Sequence, residues 1–128
     1  MLYVEDNPAN LKLVQHLIER HPDIRLLTAI NGNLGVDLAR NHQPKVIIMD
    51  IGLPDISGFE ALKLLRDDAA TAHIPVIAVS ANAMPSDVER GMKAGFCRYI
   101  TKPIKVDEFM EALLAELDMA ETLPGRSQ

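Results

Sequence analysis

Five short apolar runs alternate with five amphipathic stretches along the chain, and this alternation restricts the fold more than any other feature. The runs are "MLYV" before Glu5 and Asp6, "IRLLTAI" (Ile24 to Ile30), "VIIM" (Val46 to Met49), "VIAVS" (Val76 to Ser80) and "CRYI" (Cys97 to Ile100). Each reads as a strand. "VIIM" is apolar on both faces, as expected of a strand buried between two helical layers. Between the runs the period becomes helical. Asn7 and Pro8 form a cap and first helical position ahead of Leu11, Val14, Leu17 and Ile18, until "HPD" (His21 to Asp23) breaks the pattern. Asn31 to Asn33 reads as a turn, and Leu34 to His42 as a weaker helix. Ser57 with Glu60, and Ser86 with Glu89, have capping-box spacing; Phe59, Leu62 and Leu65 continue the first of these helices. Gly95 is placed to stop the second. Val106, Phe109, Met110, Leu113, Leu114 and Leu117 form the clearest amphipathic stripe.

Strict βα alternation implies a parallel sheet with helices on both faces and right-handed crossovers. Five such units in 128 residues suit an α/β, (βα)5 flavodoxin-like three-layer sandwich with strand order 2-1-3-4-5. The expected organisation is one domain over residues 1–118 and a flexible tail over 119–128, where the apolar period fades around Pro124 and Gly125. A formal net charge of −5 argues against a nucleic-acid or anionic-membrane surface. The single cysteine, Cys97, cannot form an internal disulfide, and no apolar run reaches membrane-spanning length; the expected location is the cytoplasm.

In a sheet of this order, ligands bind beyond the carboxyl ends of the strands, where the order reverses between the first and third. The residues at those ends are Glu5 and Asp6, Asp50, Ser80, and the Lys102–Pro103 pair. Three carboxylates in a few ångströms repel one another, so a proton or a cation must sit among them. Oxygen ligands of this kind suit a hard, partly hydrated Mg2+ that awaits phosphoryl oxygens, with Mn2+ as a substitute. The matching chemistry is phosphoryl transfer to Asp50 as nucleophile. Asp6, Asp50 and the Gly52 backbone carbonyl would hold the ion, and Glu5 would act through water. Lys102 would neutralise the transferring oxygens and Ser80 would donate a hydrogen bond to one of them. Taken singly, each residue has a plainer reading. Asp50 could only end a strand, Ser80 could satisfy its own backbone, Lys102 could be a solvated surface lysine, and Glu5 and Asp6 could favour the next helix through its dipole. Their placement on one rim is what those readings do not explain.

Together "ED" (Glu5, Asp6), "MDIGLPDISG" (Met49 to Gly58), "SANA" (Ser80 to Ala83) and "KP" (Lys102, Pro103) resemble the receiver domain of two-component response regulators, from Leu2 to about Leu117. The resemblance implies that Asp50 accepts a phosphoryl group from a histidine kinase or histidine phosphotransfer protein, with Mg2+, in a phosphorelay. It implies no conventional enzyme, only catalysis of the domain's own phosphorylation and dephosphorylation. It also implies a cis Lys102–Pro103 bond and a switch in which Ser80 moves toward the phosphoryl group and Tyr99 follows. The readout face, and the site of a possible weak dimer, would be the fourth helix, fifth strand and fifth helix. "SANAM" and "NPAN" are most similar to receivers at the C-terminus of hybrid sensor histidine kinases, and a first strand that begins at Met1 suits a fragment of such a chain; a stand-alone receiver is the alternative. Gly52 and Asn82 depart from many relatives at positions that flank the path of the hydrolytic water.

Other residues carry less. His16, His21, His42 and His73 lack metal-ligand spacing and read as solvated, and Cys97 reads as a packed thiol. Met84 and Met92 could form part of a partner surface. Leu11, Val14, Gln15, Pro103 and Ile104 are where a phosphohistidine partner would dock, with Leu11 and Val14 as core the competing reading. Three rivals are weaker. An aspartate-nucleophile phosphohydrolase of the haloacid dehalogenase type needs a second aspartate where Gly52 stands; a phosphorylation-independent module would lack site residues that are all present; a flavodoxin needs a phosphate loop after the first strand.

Overall fold

A computed structural model describes residues 1–82 and 84–122. Five strands, β1 (Leu2–Val4), β2 (Leu27–Ala29), β3 (Ile47–Asp50), β4 (Val76–Ser80) and β5 (Arg98–Thr101), form one sheet. They alternate with α1 (Pro8–Glu19), α2 (Gly32–His42), α3 (Gly58–Asp67), α4 (Pro85–Ala94) and α5 (Val106–Thr122). The strand order is β2-β1-β3-β4-β5 and every pairing is parallel, as the alternation requires. The sheet divides the core into two layers. Leu2, Val4, Ile47, Met49 and Ala78 meet α2 and α3 on one side. Tyr3, Ile48, Ile77 and Val79 meet Val14 and Ile18 of α1 and Phe109 and Leu113 of α5 on the other.

The local signals mostly act as expected. The Asn7 side chain accepts hydrogen bonds from the Ala9 and Asn10 amides ahead of Pro8, and Ser57 Oγ accepts from the Glu60 amide at 3.2 Å. Gly95, at φ 117°, ends α4 in the left-handed conformation that glycine adopts without steric cost. Some boundaries differ. β2 is shorter than "IRLLTAI" because the Ile24 amide closes a turn onto the His21 carbonyl; the ladder begins only where Leu27 N donates to Met1 O. Ser86 does not cap α4. Pro85, whose ring presets a helical φ, starts the helix two residues earlier behind Met84, with no side-chain cap. The amphipathic stripe of α5 turns only partly inward: Phe109 and Leu113 are buried, whereas Val106 and Leu114 are exposed. α5 runs to Thr122, four residues into the segment expected as a tail, and residues 123–128 lie outside the described residues.

Candidate functional site

Parallel pairing brings the ends of β1, β3, β4 and β5 to one rim, where a cleft of about 520 Å³ is lined by Asp6, Asp50, Gly52, Ser80, Asn82 and Lys102. Asp50 is the last residue of β3 and only 4% exposed. Its Oδ1 accepts from the Gly52 amide at 3.0 Å and its Oδ2 from Lys102 Nζ at 3.0 Å. The chain leaves this strand in a tight path, because Gly58 N donates to Ile51 O at 2.9 Å. A Cβ at Gly58 would stand 2.8 Å from Ile51 Cα and 2.9 Å from Asp50 O, so only glycine lets α3 begin so close to the aspartate. The loop is pinned from outside as well. Asp55 accepts from the Gly32 and Asn33 amides at 2.8 and 2.9 Å, tying it to the first turn of α2. Partial desolvation opposes ionisation of Asp55, but the Asn33 and Gly32 amides outweigh it and hold the carboxyl at about 2.

Glu5 is fully buried just after β1, and Asp6 is exposed beside it. One oxygen each from Glu5, Asp6 and Asp50 falls within a span of 4.8 Å. Lys102 is the cation that faces them. Its Nζ lies 3.1 Å from Glu5 Oε1 as well as 3.0 Å from Asp50 Oδ2. Desolvation lowers the affinity of this amine for its proton, but the hydrogen bonds to Asp50 and Glu5 outweigh it and raise its pKa. The Lys102 amide also donates to Ser80 O at 2.8 Å, and the Lys102–Pro103 peptide is cis. Three carboxylates and one ammonium leave a formal charge of −2 (−3 and +1) at the rim. That charge and an all-oxygen donor set fit a divalent hard cation.

Ser80 closes β4 with its Oγ accepting from the Asn82 amide at 3.1 Å; it lines the same cleft. Tyr99 is half-buried on β5, and its hydroxyl donates to Asn82 O at 2.8 Å, which links β5 to the loop that follows Ser80. The ring rests on Gly91 of α4, where a Cβ would lie 2.8 Å from Tyr99 Cδ2. Gly52, by contrast, is open: a Cβ there would meet only Asp50 Oδ1, at 3.9 Å.

Residues expected away from the rim resolve differently. Val14 has no exposed surface and belongs to the core, so it cannot present itself to a partner. Leu11 and Ile104 are half-buried, and Gln15 and Pro103 are exposed. Met84 and Met92 are exposed on the α4 side. Cys97 is partly buried, and burial, with the charge of Glu116, pushes its thiol up to about 11. Two site residues were missed in the sequence. Tyr3 Oη donates to Glu5 Oε1 at 3.1 Å, and Asn10 Nδ2 donates to the same oxygen at 3.0 Å. The signal for Tyr3 was available, since residues two apart on a strand share a face. Burial, then the charge and hydrogen bond of Glu5, raise the Tyr3 pKa and keep it a donor.

The family model of the response regulator receiver domain matches residues 1–114. The polar-differentiation response regulator DivK of Brucella anthropi is 47% identical over 117 residues, covering 91% of this chain and 94% of that protein. The receiver domain of the sensor histidine kinase PA1611 from Pseudomonas aeruginosa, solved with a magnesium ion coordinated in its active-site cleft, is 31% identical with a TM-score of 0.81, covering 91% of this chain and 95% of that one. A co-crystal structure of the Saccharomyces cerevisiae phosphotransfer protein Ypd1 with the receiver domain of Ssk1 matches at 26% identity and a TM-score of 0.86, covering 98% and 93% of the two chains. The chain therefore belongs to the response regulator receiver domain family of two-component signalling.

Proposed function

We propose that Asp50 accepts a phosphoryl group from a phosphohistidine on a histidine kinase or histidine phosphotransfer protein. The observation that carries this reading is the convergence on Asp50. A nearly buried carboxylate at a strand end has Lys102 at 3.0 Å and two further carboxylates within ligand distance. Asp6, Asp50 and the Gly52 carbonyl would hold Mg2+, or Mn2+ in its place, with Glu5 reaching it through water. The ion, when bound, offsets carboxylate repulsion and charge on the phosphoryl oxygens.

The chain's own residues do the rest. One Asp50 oxygen forms a bond to phosphorus as the donor's P–N bond breaks; the electron pair goes to the imidazole nitrogen, which takes up a proton. Lys102 stays beside the acceptor and meets charge on the transferred oxygens, and Ser80 donates a hydrogen bond to one of them. Water later attacks phosphorus, the bond to Asp50 breaks, and inorganic phosphate leaves with the carboxylate restored. The domain thus catalyses only its own phosphorylation and dephosphorylation. Withdrawal of the Ser80 hydroxyl toward the phosphoryl group frees the loop that Tyr99 grips through Asn82 O, so the aromatic ring and α4 respond together. Output, and any weak self-association, uses the face of α4, β5 and α5. The receiver takes in α5 to its end at Thr122, past the boundary of 118 expected from the sequence.

The Ypd1–Ssk1 complex supports a phosphotransfer protein as partner. The PA1611 receiver, part of a sensor kinase, supports attachment to a hybrid kinase, and DivK, nearly all of whose length this chain covers, supports a stand-alone regulator. Coding sequence for a kinase or sensor upstream would decide for the hybrid. The chemistry is tested by incubation with Mg2+ and acetyl phosphate followed by intact mass. One phosphoryl adduct, absent in Asp50→Asn, is the expected result; no adduct from any phosphodonor, or an adduct that persists in Asp50→Asn, contradicts the reading.

A further inference from the structure

Glu5 is the most enclosed polar side chain of the rim, and its surroundings explain how Lys102 is held. The residue has no exposed surface, and donors of this chain meet both of its oxygens. Tyr3 Oη and Asn10 Nδ2 reach Oε1 at 3.1 and 3.0 Å; the Asn7 amide reaches Oε2 at 3.4 Å. Lys102 Nζ spans the two oxygens, at 3.1 Å from Oε1 and 3.5 Å from Oε2. Three of these donors converge on Oε1, whereas the contacts to Oε2 are longer.

We propose that Tyr3 and Asn10 are positioning residues for phosphoryl transfer: by holding Glu5, they fix it as the anchor that keeps Lys102 against Asp50. The inference rests on the reading of Asp50 as phosphoacceptor and adds what orients the lysine. Lys102 is a flexible four-carbon stem between two carboxylates, and its position depends on whether the inner one can move. Tyr3 gives the inner carboxylate a rigid support. Its ring is fully buried and packs edge-on against Phe109 of α5, with centroids 6.3 Å apart and planes at 71°. The core needs only that ring. The hydroxyl would cost stability in an apolar layer without a partner, and its partner is Glu5. Asn10, half-buried in the first turn of α1, supports the same oxygen from the helix that follows β1. Without either donor, Oε1 has one side-chain support fewer and the carboxylate can turn, drawing Lys102 away from Asp50.

The test is the rate of adduct formation from acetyl phosphate at saturating Mg2+, followed by intact mass on the full chain. Tyr3→Phe keeps the ring and is expected to slow the rate about three- to tenfold, the size of one hydrogen bond. Asn10→Ala, which leaves the core untouched, is expected to slow it in the same direction. In a Lys102→Ala background Tyr3→Phe should have no further effect, because its influence runs through the lysine. A structural role alone would lower the unfolding temperature and leave the rate per folded molecule unchanged. Equal rates for wild type and both single variants, or the same slowing with and without Lys102, overturn this proposal while leaving Asp50 as acceptor. Absence of any adduct in the wild type overturns both.

Discussion

The two ends of the sheet differ in a way that cavity size does not reveal. At the amino end, a groove of about 710 Å³ lies between Met1, Leu27, Gln43, Lys45, Leu114 and Leu117. At the carboxyl end the cleft is smaller, about 520 Å³. A large apolar pocket is the usual first guess for a binding site. Here convergence of charge points to the smaller one. In a parallel βα fold each strand delivers its last side chain to the same rim, and each following helix starts there with its positive dipole end. Three carboxylates, an ammonium and a hydroxyl therefore meet at one end. The charged side chains lining the amino-end groove are of both signs, Asp23 and Arg25 on the α1–β2 connection, Lys45 on the α2–β3 connection and Asp118 on α5, and they include no cluster of three carboxylates among the described residues.

The sharpest way to break this contrast is to remove one lysine from each end. Lys102→Ala should reduce the rate of Asp50 phosphorylation about 100-fold, as loss of a preorganised electrostatic group does. Lys45→Ala should leave it within about twofold. Comparable losses in both, measured by adduct formation, would erase the distinction. A smaller effect concerns the metal. Mg2+ at a hundredfold excess over its dissociation constant should stabilise the fold by about 2.7 kcal/mol, seen as a rise in unfolding temperature, and Asp6→Asn should shrink the rise. The smallest effect belongs to Asp55, which fastens the Asp50 loop. Its folded pKa, about 2, lies below the ordinary 3.8, so its contribution is present above pH 4 and is lost as pH falls toward 2. Asp55→Asn should lower the unfolding temperature slightly at pH 7, since the side chain is solvated, and the gap from wild type should close between pH 4 and 2.

The sequence exposed the parts of the site that depend on topology. Glu5, Asp6, Asp50, Ser80 and Lys102 could be placed on one rim because strand ends can be read from where apolar runs stop. Contacts that cross between elements were harder. Asp55 caps a helix 22 and 23 residues away in the chain, and no local spacing marks it. Ser86 carried a correct capping pattern yet lost to the neighbouring Pro85, because the proline had already fixed the first turn. Tyr3 was hidden by its own ring. It reads as a core residue, which it is, while the hydroxyl it carries points to chemistry. Val14 shows the reverse: a helical-face position open to either reading became core once α1 lay on the sheet.

The account's central claim is that the carboxyl-end cleft is where carboxylates converge to hold a divalent cation. A titration of the full chain with Mg2+, followed by backbone amide chemical shifts, tests it most directly. Saturable shifts are expected at Asp6, Asp50, Gly52, Asn82 and Lys102, and none of comparable size at Arg25, Gln43 or Leu117. Shifts centred on the amino-end groove, or no saturable shift at the carboxyl-end cleft, would contradict it.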